Sequence, residues 1–152
     1  MAAATHPPIQ IVDENDAPLR GGTMDEVQLQ GLWYRIARVM IYDESTGKYL
    51  LQKIAPNPYW SGGLWNTTAG GHVDEGESYL QAALRETEEE MGIVGLDLVE
   101  IDRYTGKRTK ANRSYNRHIV TFLARCSNTP QVIPNEEVEE IIWVSPAELV
   151  AM

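Results

Sequence analysis

Three glutamates, Glu86, Glu89 and Glu90, form the group of residues in this sequence that is best suited to chemistry. They lie near the end of residues 77–91, whose apolar spacing predicts a helix, and Gly92 follows where such a helix stops. The last turn of a helix carries partial negative charge, and like charges four residues apart repel each other. A bound Mg²⁺ would remove this conflict, because that ion is held by a few carboxylates, by water and by the phosphates of a substrate.

The phase of the predicted helix separates a core face from an acidic flank. At about 100° per residue, an apolar stripe is expected to face the core, with Ala83 at its edge. The stripe consists of Leu80, Leu84, Thr87 and Met91. The three glutamates, spaced i, i+3 and i+4, then cluster on one flank within reach of a common point. A solvated acidic helix without a ligand is the alternative interpretation, since Glu has a high helix propensity.

Two glycines ahead of the helix favour the ligand-binding interpretation. Gly70 and Gly71 are the residue type that lets the backbone approach a ligand closely or adopt a positive φ, because they have no Cβ. A backbone carbonyl from this turn is a suitable ligand for a hard cation. We therefore expect the Gly71 carbonyl to join the carboxylates at the metal.

The composition limits the kind of protein and the kind of partner. A chain of 152 residues, 43% hydrophobic and 23% charged, fits one domain with an ordinary core, so we expect disorder in residues 1–8 and a single domain over 9–152. The net charge of -9 disfavours nucleic acid and anionic lipid as partners. No apolar run reaches the length of a membrane span and the start lacks a secretory pattern, so we expect a cytoplasmic protein.

The remaining segments predict a mixed sheet built largely from hairpins. An N-terminal hairpin turning at residues 14–17 precedes a short helix over residues 24–30. Strands are predicted over 33–43, 48–54, 65–73, 96–104, 118–126 and 138–144, and residues 105–117 are interpreted as a basic turn region. Ser145 and Pro146 begin a closing helix. This pattern is typical of an α+β protein in which a mixed sheet carries the acidic helix on one face.

The spacing of the residues from Gly71 onward resembles a complete Nudix box. Gly71 is followed after five residues by Glu77 and after seven more by the run from Arg85 to Ile93, whose sequence is RETEEEMGI. The resemblance implies a Nudix-type α/β/α sandwich with the box helix packed on a mixed sheet. It also implies a hydrolase of a nucleoside diphosphate linked to another group, or of a related pyrophosphate, that uses Mg²⁺ or Mn²⁺ and acts on a small molecule.

The resemblance also implies roles for individual residues. In Nudix proteins the positions that match Gly71, Glu86, Glu89 and Glu90 hold the metal. The position that matches Arg85 orients the carboxylates, and the one that matches Glu77 supports the loop and the start of the helix. We expect Glu86, Arg85 and Glu89 to be catalytic, with Glu86 as the base or a bridging ligand.

An additional acidic ligand is expected from outside the box. Many Nudix proteins supply one from the last strand, and here Glu136, Glu137, Glu139 and Glu140 surround its start. Strand alternation puts Glu137 and Glu139 on one side and the other two on the opposite side. We predict Glu137 as the fifth metal-binding residue.

The segments before and through the box also resemble the isopentenyl diphosphate isomerase branch of the superfamily. That isomerase needs a cysteine after the Asn of its W/T-Asn motif, whereas Thr67, Thr68 and Ala69 follow Asn66 here. The single cysteine, Cys126, lies far away in a predicted strand and also excludes an internal disulfide. We therefore favour hydrolysis, with isomerisation and a non-catalytic binding module as alternatives.

Four residues are predicted to bind substrate. Tyr59 and Trp60, beside Pro and Gly in the loop before the box, are suited to line a pocket or stack on a base. Lys53 and Arg117 are cations that could contact phosphate, and Arg117 belongs to a basic concentration over residues 103–117. Solvated surface charges are the alternative interpretation of these cations. The sequence leaves open which pyrophosphate is bound and whether the chain forms a homodimer.

Overall fold

Strand β3 (Trp33–Asp43) is the centre of the fold, because the rest of the sheet is built on its two sides. The computed structural model describes residues 6–56 and 62–152. Along one side, β3 pairs in parallel with β8 over its whole length. Along the other side it pairs antiparallel with three short partners in succession, namely β1, β6 and β4. The outcome is a mixed nine-stranded sheet.

The described elements follow the order β1, β2, α1, β3 to β6, α2, β7 to β9 and α3. The remaining strands are β1 (Ile9–Val12), β2 (Pro18–Gly22), β4 (Lys48–Ile54), β5 (Trp65–Asn66), β6 (Ala69–His72), β7 (Leu98–Lys110), β8 (Arg113–Cys126) and β9 (Val138–Val144). The helices are α1 (Met24–Gln30), α2 (Tyr79–Met91) and α3 (Pro146–Ala151). The predicted bounds of α1, β3, β4 and β9 are confirmed, as are the first hairpin, the Gly92 cap of α2 and the Ser145 cap of α3, whereas α2 begins at Tyr79 and not at the predicted Glu77.

Alternation along β3 builds a separate apolar cluster on each face of the sheet. Ala37, Val39 and Ile41 point to the face that α2 covers, where the larger cluster lies. Tyr34 and Ile36 point to the opposite face, where they pack with Val27 of α1 and with other buried residues. The side chain of any sheet residue is therefore assigned to the α2 face or the opposite face by its register with β3.

Helix α2 begins and ends where its caps dictate, and the predicted core face was right for Ala83, Thr87 and Met91 but wrong for the two leucines. Ser78 and Gln81 form a capping box, and Gly92 ends the helix with φ 66°. Leu80 and Leu84, which we expected in the core, are 43% and 37% exposed. The predicted Ala83, Thr87 and Met91 are buried, and they are joined by Tyr79, Ala82, Glu86 and Glu90. Two adjacent alanines let this helix lie close to the sheet, and the helix is turned so that its acidic flank faces inward.

The basic segment is strand, not the turn region that we predicted. Strands β7 and β8 form a long antiparallel hairpin that turns only at residues 111 and 112. Side-chain contacts hold the basic part of the hairpin against the domain. Lys107 lies 5.2 Å from the ring centre of Trp33, and Arg113 donates to Asp25 of α1 at 2.9 Å. Polar residues on a solvated hairpin resemble a turn in sequence, which explains the error.

The N-terminal prediction is untested. Residues 1–5 lie outside the described part of the chain, so the predicted disorder of residues 1–8 stays a prediction. Within the described ranges, Glu75 donates its backbone N–H to the carbonyl of Pro8 at 2.9 Å. No helix in those ranges is long and apolar enough to cross a membrane.

The two serine caps provide a test of how α2 contributes to stability. Ser78→Ala should lower the free energy of unfolding by about 1 kcal/mol, because α2 packs on the main cluster and loses its N-terminal hydrogen bond. Ser145→Ala removes the same kind of cap from α3, which buries none of its residues, so global stability should change by less than about 0.5 kcal/mol. Urea unfolding followed by far-UV circular dichroism measures both. Equal losses of unfolding free energy in the two variants would contradict the inference that α2 contributes more than α3 to the stability of the fold.

Candidate metal and catalytic site

Three carboxylates meet at the inner flank of α2. Oxygen atoms of Glu86, Glu90 and Glu137 all lie within 4.8 Å of one another. Glu86 and Glu90 are one turn apart on α2 and are buried, whereas Glu137 reaches them from the exposed turn before β9. The sequence predicted all three as metal ligands, and the fold brings them together from two elements.

The two glycines of β6 make room for this group. A Cβ on Gly71 would overlap the carboxylate of Glu86, so any side chain at that position would displace the glutamate. Gly70 donates its backbone N–H to Glu90 Oε2 at 3.0 Å, and a Cβ there would lie 2.9 Å from the carbonyl oxygen of Ala37. The backbone of β6 can therefore pack directly against both buried carboxylates because neither residue has a side chain.

Arg85 connects the carboxylate group to the loop before α2. Its guanidinium donates to Glu77 at 2.8 and 2.9 Å, to Glu86 Oε1 at 2.9 Å and to the carbonyl of His72 at 3.1 Å. Asp74 adds an ion pair at 3.4 Å. Glu77 in turn accepts the backbone N–H of Asp74 at 2.8 Å. One arginine thus fixes the loop, the helix start and one of the buried carboxylates in a single network.

The carboxylates are held in an environment that disfavours their charge. Burial, with the nearby charge of Glu90, raises the pKa of Glu86 to about 8 despite the opposing effect of Arg85. Burial likewise raises the pKa of Glu90 to about 7, although hydrogen bonds from Gly70 and Gln52 oppose it. Burial and the charge of Glu89 raise the pKa of Glu137. Such a group gains most from a cation that replaces the missing solvation.

The donor set fits a hard divalent cation. Carboxylate oxygens from three residues at short mutual distances are the ligands that Mg²⁺ and Mn²⁺ prefer. Among the residues that the structure describes, no cysteine or histidine belongs to this group. The group therefore lacks the ligands that soft metal ions prefer. Glu86, Glu90 and Glu137 are the residues that would hold the ion.

Glu89 and Gly71 are placed differently from the other predicted ligands. Glu89 lies outside the group of three described above, with its side chain 54% exposed and 3.4 Å from Arg85. It is still close enough for its charge to raise the pKa of Glu86, Glu90 and Glu137. For Gly71 the structure gives a steric reason, while a role of its carbonyl at the metal stays a prediction.

The predicted substrate-binding residues do not join the carboxylates. Tyr59 and Trp60 lie outside the described residues. Gln52 contacts Glu90 on the α2 face, so the adjacent Lys53 points to the opposite face, where its Nζ lies 4.0 Å from Glu139. Arg117 is in register with Tyr34, also on the opposite face. Strand alternation therefore places both cations on the opposite side of the sheet from the carboxylates, which corrects the expectation that they share one site.

Sequence reasoning missed the contribution of Gln52. This residue is buried on β4, donates to Glu90 Oε1 at 3.2 Å and donates to the carbonyl of Thr68 at 3.0 Å. It ties β4 to the start of β6 and holds one oxygen of Glu90. Its signal in the sequence was a polar side chain within the otherwise apolar run YLLQ, which the strand prediction passed over.

The basic residues of the hairpin are largely engaged elsewhere. Arg103 pairs with Glu100 at 2.8 Å and lies 5.2 Å from the ring centre of Tyr79. It borders an open cavity of about 420 Å³. The cavity is lined by Asn15, Asp16, Arg103, Tyr104, Thr105 and His118. None of the three grouped carboxylates lines it, so this cavity is separate from the candidate metal site.

Cys126 is remote from the carboxylates. It pairs with Asp43 at the end of β3, whereas Gly71 pairs with Ala37. Six residues of strand separate these positions, which corresponds to roughly 20 Å. The thiol therefore lies far along the sheet from Gly71, and the residues that follow Asn66 include no cysteine.

Comparisons with known proteins agree on a family and a fold. The model of the NUDIX domain matches residues 33–152. An uncharacterized Nudix hydrolase of Yersinia pestis is 30% identical over 144 residues, covering 94% of this chain and 75% of that protein. An isopentenyl-diphosphate Delta-isomerase of Photobacterium profundum is 33% identical over 147 residues, covering 93% and 81%. The crystal structure of DR0079 from Deinococcus radiodurans has a TM-score of 0.73 at 18% identity, covers 94% of this chain and 86% of that one, and confirms the expected fold.

The raised pKa of Glu86 predicts how the metal-free protein responds to pH. The folded-state pKa of about 8 exceeds the ordinary value of 4.5, so the folded state binds the extra proton between these values. The stability that the protonated Glu86 contributes is therefore complete below pH 4.5, and it is lost as the pH rises through 8. Glu86→Gln cannot ionise, and at pH 8 in EDTA it should be more stable than the parent by roughly 1 to 3 kcal/mol. The gain should vanish near pH 4.5.

Glu88→Gln is the matched control for this measurement. Glu88 lies on the same helix but is exposed, so its replacement should change stability by less than about 0.5 kcal/mol at either pH. Urea unfolding at both pH values measures all three proteins. A Glu86→Gln variant that is less stable than the parent at pH 8 would show that the ionised carboxylate of Glu86 does not destabilise the folded protein.

Proposed function

The chain belongs to the NUDIX-domain family, its enzyme class is that of the Nudix hydrolases, and we propose that it cleaves a nucleoside diphosphate-linked or related pyrophosphate with Mg²⁺ or Mn²⁺. The observation that supports this most is the group of Glu86, Glu90 and Glu137 within 4.8 Å. A module that only binds ligands would not need three carboxylates kept together at an electrostatic cost. The substrate is a small molecule whose phosphates the site can reach.

In this proposal Glu86, Glu90 and Glu137 hold the cation. When bound, Mg²⁺ or Mn²⁺ supplies positive charge that offsets the charge of phosphate oxygens and makes a nearby water more acidic. Gly70 and Gln52 each donate to one oxygen of Glu90, so that carboxylate is fixed before an ion arrives. Arg85 does the same for Oε1 of Glu86. The ligands are thereby pre-oriented by neighbours that do not change their protonation state near neutral pH.

Glu86 is our assignment for the base or bridging ligand. Its Oε1 accepts from Arg85, which leaves Oε2 as the atom assigned to take the proton of the attacking water. Burial raises the pKa of the metal-free group to about 8, and a bound cation would lower it again, which would keep Glu86 ionised and able to accept a proton. Glu89, on the rim beside Arg85, is assigned a supporting catalytic role rather than a place among the three closest ligands.

Isopentenyl diphosphate isomerisation is the second candidate reaction. The 33% identity to an isomerase over most of the chain favours it. The residues that follow Asn66 argue against it, since they provide no thiol and Cys126 is remote. Both reactions act on a diphosphate, so one panel of substrates separates them.

A substrate panel tests the proposed hydrolysis. Nucleoside diphosphate sugars, dinucleotides, nucleoside triphosphates and prenyl diphosphates are each incubated with Mg²⁺ or Mn²⁺, and released phosphates and nucleotides are measured. We expect hydrolysis of at least one nucleotide-containing class, and loss of that activity in EDTA. Conversion of isopentenyl to dimethylallyl diphosphate without phosphate release would instead establish the isomerase, and no turnover with intact metal binding would establish a binding module.

Single replacements test the ligand set. Glu90→Gln and Glu137→Gln should each lower kcat/KM by roughly 100-fold or more, because each removes a negatively charged ligand. Glu140→Gln is the control, since Glu140 is in register with Lys53 on the opposite face. Titration with Mn²⁺ followed by electron paramagnetic resonance should show weakened binding in the first two variants alone. Normal Mn²⁺ binding by both would mean that the metal lies elsewhere.

Glu89 is tested by the same two measurements. Its half-exposed rim position predicts that Glu89→Gln lowers kcat by about 10-fold or more while Mn²⁺ affinity changes by less than about threefold. A loss of Mn²⁺ affinity equal to that of Glu90→Gln would instead place Glu89 among the closest ligands.

A further inference from the structure

Strand β7 has an open outer edge. It pairs with β8 along one side, and in residues 6–56 and 62–152 no strand pairs with its other side. Nearly all of its residues are exposed. An open edge presents backbone N–H and C=O groups that are ready to pair with another strand. At thirteen residues, β7 is long enough for an extended ladder.

The exposed side chains of β7 include a compact apolar set. Val99, Ile101 and Tyr104 are 60%, 54% and 40% exposed within six consecutive residues. Charged residues and one irregularity along β7 restrict which strand can pair with this edge and in which register. Exposed apolar side chains that lie together commonly mark an interaction surface.

The charges along this edge are divided between its two ends. The acidic residues lie at or just before the start of the strand and the basic residues at its end. The acidic set is Asp97, Glu100 and Asp102, and the basic set is Lys107, Arg108 and Lys110. An antiparallel copy of the same strand would bring the acidic start of each against the basic end of the other. Opposite charges across a strand pair are favourable and like charges are unfavourable.

The irregularity in β7 selects one register for such a pair. The ladder with β8 shifts between Glu100 and Asp102, and Ile101 is the extra residue. With a two-fold axis at Tyr104, each Tyr104 faces its counterpart and Arg103 faces Thr105. Ile101 has no partner in this pairing, so the partner of each residue before it shifts by one position. Glu100 then faces Lys107, and Asp97 faces Lys110.

Neighbouring registers bring like charges together. With the two-fold axis at Arg103, Arg103 would face its own copy. With the axis at Thr105, Arg103 would face Lys107 of the other copy. Arg103 donates to Glu100 and stacks on Tyr79 of α2, so both side chains lie on the α2 face of the sheet. Strand alternation from Arg103 puts Lys107 on the α2 face as well. The Tyr104 register therefore pairs opposite charges that share a face of the sheet.

We propose that two copies of this chain associate through antiparallel pairing of their β7 edges, with the two-fold axis at Tyr104. The interface is isologous, since the same strand contributes both halves. It joins two mixed sheets into one continuous sheet and places the two exposed Tyr104 side chains next to each other. The carboxylates of α2 lie on other elements, so this dimer does not depend on the proposed hydrolysis.

Complementary charge reversal tests the interface. The first variant, Asp97→Lys with Glu100→Lys, reverses the acidic partners of Lys107 and Lys110, and the second, Lys107→Glu with Lys110→Glu, reverses the basic partners of Glu100 and Asp97. Sedimentation velocity at about 100 μM and low salt should show a dimer for the unmodified chain, the concentration being chosen for a weak edge contact. Each variant alone should be monomeric, and an equimolar mixture should recover the dimer, because every reversed charge then meets its opposite.

A control pair separates edge pairing from general charge effects. Glu139→Lys with Glu140→Lys changes the net charge as the first variant does but lies on β9, so its dimer should persist. Circular dichroism verifies that every variant is folded. A monomeric unmodified chain at 100 μM would overturn the proposal, as would a dimer that survives both reversals or a mixture that stays monomeric.

Discussion

The burial of two ionisable carboxylates against a glycine strand is the constraint on which the site depends. Glu86 and Glu90 lose much of their hydration, and Arg85 compensates Glu86 while the Gly70 N–H and the Gln52 amide compensate Glu90. The pKa values of both are raised because this compensation is incomplete. Removing the glycines would displace the carboxylates, and removing Arg85 would free the loop that positions them. In the proposed function, a divalent cation would offset this deficit of positive charge.

Several local features are arranged so that the acidic flank can face inward. Ala82 and Ala83 allow a close approach of α2 to the sheet, while Tyr79 anchors the start of the helix by donating to Asp16. The capping box and Gly92 fix the helix ends independently of the sheet. The leucines that a simple apolar pattern would bury are left partly exposed. Stability of the fold and placement of the carboxylates are therefore both determined by one helix orientation.

The family relationship covers two chemistries that share a diphosphate substrate. The chain matches a NUDIX domain and resembles both a Nudix hydrolase and an isomerase at similar identity. What distinguishes the reactions is the group beside the metal. A water and a carboxylate suffice for attack at phosphorus, whereas the isomerase resemblance requires a thiol in a segment that here contains Thr67, Thr68 and Ala69. The proposed hydrolysis is the reaction for which this chain has the required groups.

The sequence by itself determined the bounds of several elements and identified the three grouped carboxylates. Caps, turn glycines and β-branched runs act over a few residues, so β3, β4, β9 and the end of α2 could be located without the fold. The family spacing supplied Glu86 and Glu90, and the extra acidic ligand that many Nudix proteins place near the last strand suggested Glu137. The face of α2, the length of the β7 hairpin and the sides on which Lys53 and Arg117 lie were decided by the tertiary structure. These depend on register between distant strands and on how closely a helix approaches the sheet, and neither quantity is encoded in local spacing.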